Sequence, residues 1–282
     1  MSTSPEVIVH RDPELLATTT AARLVISLLD AQATRGSASV VLTGGGIGVA
    51  TLRAVRDSPL VETVDWSQVD VWWGDERFVP AGSADRNDRQ ARQALLDALP
   101  LDPARVFPMG SADAADGTDA ATGTSAVTGT DAAESAATAY ARLLAEHAPT
   151  GAAAAAGTVA VPSFDVLLLG VGPDGHVASL FPGSSAVHAH TATVAVHHSP
   201  KPPPTRISLT LPAIQAAHEV WLLAAGEAKA DAVARAFSGA APADIPAVGA
   251  RGRQRTLWLV DRAAAARPVS AGASPARRVS AG

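Results

Sequence analysis

The chain contains no cysteine among its 282 residues. Disulfide bonds, thiolate nucleophiles and cysteine-based zinc or iron–sulfur sites are therefore excluded, and the absence fits a reducing cytoplasm. The chain also lacks a run of about 18 apolar residues that could span a bilayer. Its first residues, Met-Ser-Thr-Ser-Pro-Glu, lack the cationic start and apolar stretch of a secretory signal. We accordingly expect a cytoplasmic protein with no membrane partner.

An excess of positive charge is missing as well. The formal net charge is −5, so the chain has no general basic field to attract a phosphate backbone, and we expect no nucleic-acid partner. A local basic pocket is compatible with this charge. Hydrophobic residues make up 47% of the chain, which is enough for a sizeable core.

Short apolar runs alternate with amphipathic stretches along most of the chain. This alternation indicates βαβ units and a mainly parallel sheet, which is an α/β fold flanked by helices. The strands are predicted at 6–10, 39–43, 69–73, 164–169, 193–196, 207–211, 220–224 and 257–260. The helices are predicted at 13–33, 47–56, 86–99, from near 131 to 147, 213–217 and 228–237.

Three segments do not follow the alternation. Residues 111–132 are low-complexity Ala, Gly, Thr, Ser and Asp, and residues 151–157 are a glycine-flanked polyalanine run. We interpret the first as a flexible surface insertion and the second as a loop. The tail 263–282 is predicted to be disordered, which leaves one α/β domain over 1–262.

A triple glycine, Gly44, Gly45 and Gly46, follows Thr43 where a strand passes into a helix. Glycines let the backbone approach a ligand, and a helix N-terminus offers unpaired N–H donors to an anion such as phosphate. The alternative is a tight turn, although three glycines exceed what a turn needs. The lysine-containing P-loop pattern is absent.

The buried run 164–169 leads into a glycine-rich turn that carries Asp174 and His176. Ligand sites lie past the carboxyl ends of such strands, and imidazole is suited to moving protons near neutral pH. A short helix starting at His176 would favour the uncharged ring. The alternative is a structural, hydrogen-bonded histidine. Gly170, Gly172 and Gly175 match a dinucleotide fingerprint, but Pro182 follows too soon and no acidic residue stands about 20 positions on. We expect no cofactor.

Charged residues also follow the strand at 69–73, where Gly74 precedes Asp75, Glu76 and Arg77. Two carboxylates and a guanidinium at a strand end can orient hydroxyl groups and polarise a carbonyl. The alternative is a structural ion pair on a surface loop. Tight packing of charge after a buried strand favours the functional interpretation.

Three further cations fall where the ligand edge of the sheet is expected. Lys201 and Arg206 flank a stiff Pro-Pro-Pro-Thr segment, and Lys229 lies at a strand-to-helix turn. The position favours phosphate contact over ordinary surface charge. Four histidines also invite a metal site but lack ligand spacing, so we expect a solvated surface and no metal. These are His188, His190, His197 and His198.

Five segments in order resemble the 6-phosphogluconolactonases, which share a superfamily with the glucosamine-6-phosphate isomerases and deaminases. The resemblance runs from about Val7 to Asp261, without the insertion. Its segments are Leu-Thr-Gly-Gly-Gly (42–46), Trp-Gly-Asp-Glu-Arg-Phe-Val-Pro (73–80), Gly-Val-Gly-Pro-Asp-Gly-His-Val-Ala-Ser-Leu-Phe-Pro-Gly (170–183), Ser-Pro-Lys-Pro-Pro-Pro-Thr-Arg-Ile (199–207) and Val-Trp-Leu-Leu-Ala-Ala-Gly-Glu-Ala-Lys (220–229).

The resemblance implies a Rossmann-like α/β fold and metal-independent hydrolysis of 6-phospho-glucono-1,5-lactone in the oxidative pentose phosphate pathway. His176 matches the family's general base. The glycines 44–46, Arg206 and Lys229 match positions that hold the sugar phosphate. Asp75 and Arg77 match an element of the pocket, where Asp75 either contacts the substrate or orients Arg77.

The deaminase branch is the nearest rival. Its members carry a glutamate where this chain has Phe181 and a tyrosine where this chain has Arg77. Amine chemistry needs the missing proton carrier, whereas a lactone needs one activated water and a stabilised oxyanion, which Arg77 or an N–H of the turn 172–176 could provide. We therefore expect a hydrolase acting on a sugar phosphate lactone, as a monomer. A catalytically silent sugar-phosphate sensor is the alternative from another class.

Overall fold

The computed structural model describes residues 4–113, 129–150, 159–267 and 277–280. Within these residues the helices and strands alternate along much of the chain. In chain order they are β1 (Glu6–His10), α1 (Pro13–Arg35), β2 (Ala38–Leu42), α2 (Gly45–Arg56), β3 (Val69–Trp73), β4 (Asp75–Arg77), α3 (Asn87–Ala94), α4 (Gly129–Glu146), β5 (Val166–Gly170), β6 (Thr193–Val196), β7 (Arg206–Leu209), α5 (Leu211–Gln215), β8 (Glu219–Ala224), α6 (Ala230–Phe237), β9 (Arg255–Asp261) and β10 (Arg277–Ser280).

A seven-stranded sheet in the order β10-β1-β9-β8-β5-β2-β3 forms the centre of the fold. Every paired strand in it is parallel. The mainly parallel α/β sheet predicted from the sequence is confirmed. Because all these strands run the same way, their carboxyl ends meet at one edge, where ligands bind in such sheets.

Side chains of the sheet are buried on both faces. In β5, Leu167 and Leu169 belong to one apolar cluster, whereas Val166 and Leu168 belong to the other. Successive side chains of a strand point to opposite faces, so a strand covered on both sides reads as an unbroken apolar run. One cluster lies under α1 and α2, and the other lies under α4, α5 and the smaller sheet described below.

The first helix begins where the sequence predicts. Asp12 accepts a 2.8 Å hydrogen bond from the backbone N–H of Leu15, and Pro13 occupies the first turn of α1. An acceptor side chain before the helix and proline in its first turn both favour this start. The helix extends to Arg35, two residues past the predicted end.

A second, three-stranded sheet, in the order β4-β7-β6, was not predicted as a separate sheet. It is antiparallel, with Arg77 paired to Arg206 and Val196 paired to Arg206 on its other side. The segment 75–77 is therefore a strand and not a loop. The backbone N–H of Leu209 donates to the carbonyl of Gly74 at 2.9 Å, which joins the smaller sheet to the end of β3.

Helix α3 is shorter than the predicted 86–99. It ends at Ala94, where Leu95 leaves the helical conformation and a single 3₁₀ turn follows. Ala94, Leu95 and Leu96 are all buried. Consecutive residues of a helix point about 100° apart, so a continuous helix could not bury all three against one surface.

The prediction of a disordered tail is wrong for the described part of the tail. Residues 277–280 form β10, which pairs in parallel with β1 at the edge of the main sheet.

The predicted flexible insertion 111–132 includes residues at both ends that belong to the folded structure. Ser111 is buried, the Asp113 carboxylate accepts a hydrogen bond from the Ala81 N–H, and α4 already begins at Gly129. The rest of that insertion and the polyalanine run lie outside the described residues.

Candidate active site

A cavity of about 450 Å³ lies at the carboxyl ends of β2 and β5. The sequence predicted that His176 and the triple glycine share one cavity, and the structure brings them together there. The other predicted site residues that line it are Asp75, Arg77, Lys201, Arg206 and Lys229. Asp174 is not part of the lining and reaches the cavity through its contact with His176.

The Asp174–His176 pair fixes the imidazole in the cavity. Oδ1 of Asp174 lies 2.5 Å from Nδ1 of His176. An ionised carboxylate can only accept, so Nδ1 carries the hydrogen and Nε2 is the nitrogen with a free lone pair. Burial by itself would raise the pKa of Asp174, but the hydrogen bond and charge of His176 outweigh it and lower that pKa. The carboxylate is therefore ionised near neutral pH.

The helix expected to start at His176 is absent from the structure. Residues 173–175 form a turn, and His176 continues without helical conformation. The N–H of Gly172 donates to the carbonyl of His176 at 2.8 Å and the N–H of Gly175 donates to that of Gly172 at 3.0 Å, which closes the turn. The orientation of the ring thus depends on Asp174 and the turn rather than on a helix that starts at His176.

Gly172 has a steric role in the site that the sequence interpretation did not assign to it. A Cβ at this position would collide with the His176 ring and the Asp174 carboxylate. The imidazole therefore lies directly against the backbone of Gly172. The sequence analysis compared the glycine spacing around this residue with a dinucleotide-binding motif. The pattern that indicates its role is a glycine four residues before a histidine, which leaves room for the ring.

The three glycines of the loop after β2 have three different roles. A Cβ on Gly44 would collide with the side-chain amide of Asn87, Gly45 has a φ of +81°, and Gly46 faces open space. Gly44 is the N-cap of the 12-residue helix α2 and provides no capping side chain. Both sequence interpretations therefore apply, because the segment is a tight turn and also presents uncapped helix amides to the cavity.

Neighbouring residues of β4 lie on opposite sides of the strand. Asp75 and Arg77 line the cavity, whereas Glu76 is fully buried away from it. Glu76 accepts hydrogen bonds from the N–H groups of Arg77, Asn87 and Asp88 at 2.7–2.9 Å. Burial raises the pKa of Glu76 to about 7. The expectation that two carboxylates of this segment serve the site is wrong, because the alternation of the strand turns Glu76 into the core.

Asp75 contacts three groups around the cavity and none of them is Arg77. Its Oδ2 accepts a 2.7 Å hydrogen bond from Ser179 Oγ and lies 3.9 Å from Nη1 of Arg206. Its backbone carbonyl accepts a 2.8 Å hydrogen bond from Nδ2 of Asn87. The sequence left open whether Asp75 orients Arg77. Among the described residues, the side chain of Asn87 hydrogen-bonds to both of them.

The cations of the cavity differ in how many hydrogen bonds they already make to the protein. Arg206 donates to the carbonyls of Lys201, Pro202 and Pro203 at 3.1–3.2 Å, so it mainly holds the segment that carries Lys201. Nζ of Lys201 lies 3.5 Å from Nδ1 of His176. Burial lowers the pKa of Lys229, and the charge of Lys201 lowers it further. Both lysines line the same cavity, so both face an anion bound there.

A buried carboxylate that the sequence did not single out holds the turn before Lys229. Asp261, at the end of β9, is 1% exposed and accepts from the N–H of Gly226 with both oxygens at 3.0 Å. It also accepts from the N–H of Ala264 at 2.7 Å. Gly226 has a φ of +89°, so this contact stabilises the conformation that brings Lys229 to the cavity.

The histidines outside the cavity show no common centre. Nε2 of His197 lies 3.2 Å from a carboxylate oxygen of Glu134. Among the residues that the structure describes, no group of three metal-ligating side chains is close enough to hold an ion.

Within the same described residues, no helix combines the length and apolar character needed to cross a bilayer.

Comparison with known proteins places the chain among sugar-phosphate enzymes. A family model described as glucosamine-6-phosphate isomerases/6-phosphogluconolactonase matches residues 11–258. The chain is 57% identical to the 6-phosphogluconolactonase of Streptomyces coelicolor over 94% of this chain and 95% of the relative. It is 48% identical to that of Mycobacterium tuberculosis over 95% and 99%.

Solved structures agree with this placement. The structure of 6-phosphogluconolactonase from Trypanosoma brucei is similar with a TM-score of 0.77 and 30% identity, over 94% of this chain and 99% of that one. A monomeric glucosamine-6-phosphate deaminase is similar with a TM-score of 0.70 over 93% and 99%, at 19% identity. At that identity the likeness concerns the fold alone.

Proposed function

The chain belongs to the family of glucosamine-6-phosphate isomerases and 6-phosphogluconolactonases, and we propose that it hydrolyses 6-phospho-D-glucono-1,5-lactone to 6-phospho-D-gluconate in the oxidative pentose phosphate pathway. The observation that carries the proposal is one cavity that holds a carboxylate-bound imidazole, a guanidinium and two lysines. High identity to relatives named 6-phosphogluconolactonase supports the same substrate.

His176 is the general base in this proposal. Its Nε2 takes a proton from water, and the hydroxide adds to the C1 carbonyl of the lactone to give a tetrahedral oxyanion. The oxyanion collapses with cleavage of the bond between C1 and the ring oxygen, and Nε2 returns its proton to that oxygen. Asp174 stabilises the imidazolium between these steps. General acid–base catalysis of this kind contributes typically about 10²- to 10⁴-fold in rate.

Arg77 is the better candidate for stabilising the oxyanion. In the turn 172–176 the N–H groups of Gly172 and Gly175 are already bonded to backbone carbonyls, and the N–H of His176 donates to Asp174. Pro173 has no N–H. Arg77 reaches the cavity with a guanidinium whose described hydrogen bonds both use Nη1. A donor fixed before the reaction stabilises developing charge at low cost of reorganisation.

The phosphate of the substrate is held by the N-terminus of α2 with Lys201 and Lys229. Uncapped amides at a helix N-terminus and nearby ammonium groups both favour a dianion. Arg206 acts indirectly, because its hydrogen bonds to carbonyls hold the Lys201 segment in place.

The environment of His176 supports hydrolysis over deamination. The ring of Phe181 lies 4.6 Å from the imidazole, centroid to centroid, and the Arg206 guanidinium lies 5.9 Å from the Phe181 centroid. Phe181 thus fills with apolar atoms the position at which the deaminases carry a glutamate. The glutamate that carries a proton in amine chemistry is therefore replaced by Phe181, whereas His176, the proposed base for water activation, is kept.

A direct assay tests the proposal. Freshly prepared 6-phospho-glucono-1,5-lactone is added to the purified protein, and acid release is followed above the spontaneous rate. We expect acceleration with the wild type, loss of kcat with little change in KM for His176→Ala, and no turnover of glucosamine 6-phosphate. An unaccelerated wild-type reaction would contradict the enzyme function and favour a sugar-phosphate sensor. Unchanged kcat in folded His176→Ala would contradict the role of the base.

Metal independence, a monomeric state and a cytoplasmic location stay predictions. Full activity after treatment with EDTA and a monomer mass by light scattering are the expected results for the first two.

A further inference from the structure

Asn87 lies on the wall of the cavity and was not singled out by the sequence. It is the first residue of α3 and is 3% exposed. Its backbone N–H donates to Oε1 of the buried Glu76 at 2.7 Å. This backbone contact holds the start of α3 whatever side chain stands at position 87, so the side chain is free to serve another purpose.

The chemistry of its neighbours determines how the Asn87 amide is oriented. Nη1 of Arg77 donates to Oδ1 at 2.6 Å, and Nδ2 donates to the carbonyl of Asp75 at 2.8 Å. Guanidinium can only donate and a carbonyl can only accept, so a rotated amide would lose both contacts. The amide therefore joins Arg77 to Asp75 with a defined polarity, and both Asn87 and Asp75 are buried.

The same amide packs against the glycine loop. A Cβ on Gly44 would collide with Oδ1 and Cγ of Asn87, so the loop backbone and the amide are in direct contact. Asn87 thus contacts the glycine loop, the Arg77 guanidinium and strand β4. In the proposed function the loop binds the phosphate and Arg77 stabilises the oxyanion. A residue in this place can hold the two ends of the substrate site at a fixed separation.

We propose that Asn87 is a positioning residue for lactone hydrolysis, which holds the Arg77 guanidinium in place and ties it to the glycine loop. The inference rests on the proposed function, because it assigns Arg77 to the oxyanion. The Nε of Arg77 is buried and has no partner among the described residues, so the orientation of the group depends on its two Nη1 contacts, to Asn87 and to the carbonyl of Asp85.

Steady-state kinetics of Asn87→Ala tests the proposal on the full-length protein. We expect kcat to fall by about 10- to 100-fold, because a small misplacement of a catalytic group costs this much. The effect on KM should be smaller. Gln90→Ala, which removes another side-chain amide from α3 bonded only to the carbonyl of Ala84, is the matched control and should keep the wild-type kcat.

A double-mutant cycle distinguishes positioning from general support of the fold. If Asn87 acts through Arg77, then Asn87→Ala should cost almost nothing further in an Arg77→Ala background. Additive losses would overturn the proposal, and so would wild-type kcat in folded Asn87→Ala. Asn87→Asp keeps the shape of the side chain but turns an oxygen toward the carbonyl of Asp75. It should also lower kcat, and it keeps the question answerable if the alanine variant does not fold.

The wild-type reaction separates the two proposals. If the wild type does not accelerate lactone hydrolysis, the proposed function fails. If the wild type is active and the Asn87 variants match it, the positioning role alone fails.

Discussion

Asp174 accepts a 2.5 Å hydrogen bond from Nδ1 of His176, and this contact decides which nitrogen of the ring is available in the cavity. Nδ1 must carry the hydrogen, so Nε2 keeps its lone pair. The pair is local in the sequence, with only Gly175 between the two residues, yet its geometry requires the turn at Gly172 and Gly175. Tautomer and orientation of the His176 ring are therefore set by Asp174 and the turn that follows β5.

Asp174→Asn should lower kcat strongly while leaving the fold intact. The amide of asparagine can donate to Nδ1 and so favours the tautomer with hydrogen on Nε2, which cannot accept a proton from water. We expect a loss of about 10²- to 10⁴-fold in kcat with little change in KM. Asp30→Asn, on an exposed position of α1, is the control. Wild-type kcat in Asp174→Asn would show that the carboxylate does not select the tautomer.

Gly172→Ala should displace the imidazole. The added Cβ would occupy the space of the His176 ring and the Asp174 carboxylate, so the ring must rotate away. We expect kcat to fall by about 100-fold, measured with the phosphorylated lactone. Gly82→Ala adds the same atom where no other atom lies within 4 Å and should change neither kcat nor the melting temperature. Full activity of Gly172→Ala would mean that the ring is not needed where the structure places it.

Binding of the product 6-phosphogluconate should weaken as pH rises, beginning below the ordinary lysine pKa. Burial lowers the pKa values of both Lys201 and Lys229. The charged form attracts phosphate, and a lowered pKa means that this charge is lost at a lower pH than in a free lysine. Bound phosphate favours the protonated amines, so binding in this range should take up protons. Isothermal titration calorimetry in two buffers of different ionisation enthalpy measures the affinity and the proton uptake.

Two variants of Lys229 test whether this lysine contributes to phosphate binding and to its pH dependence. Lys229→Ala should weaken binding by about 1.5–3 kcal/mol, the range for a hydrogen bond to a charged group. Lys229→Arg keeps its charge over the whole range and should show a shallower pH dependence than the wild type. Affinity that stays constant in the wild type up to the pH at which free lysine titrates would contradict the assignment.

Tyr140→Phe should destabilise the protein without altering the site chemistry. The Tyr140 hydroxyl accepts from the N–H of Trp73 at 3.2 Å and donates to the carbonyl of Phe107 at 3.1 Å, all within the core. Without it both backbone groups are left buried and unpaired, which costs about 1–3 kcal/mol. Urea denaturation should show this loss. Thr138→Ala removes an exposed hydroxyl of the same helix and should stay within about 0.5 kcal/mol.

The sequence predicted those features that depend on neighbouring residues. The strand β1 begins and ends where the pattern placed it, and so do β3 and β6. Apolar runs, prolines and glycines are local signals, and they remain readable without any knowledge of packing. Even the meeting of His176 with Gly44–Gly46 was predictable, because parallel strands bring their carboxyl ends to one edge.

The errors of the sequence interpretation fall where distant segments meet. The interpretation that both carboxylates of the segment 74–77 serve a ligand fails for Glu76, which is buried in a strand that pairs with β7, about 130 residues further along the chain. The tail strand β10 depends in the same way on β1, at the opposite end of the chain. Pairings at such separations are not encoded in any one stretch of residues.

The chain by itself determined the α/β architecture, the edge of the sheet at which the cavity lies, and the imidazole, cations and glycines gathered there, because each has a signature in a short stretch of sequence. Only the tertiary structure decided that Asn87 joins Arg77 to the glycine loop, that Gly172 makes room for the imidazole and that Glu76 belongs to the core. Those contacts depend on the directions in which side chains point once the segments have packed, and direction is a property of the folded chain.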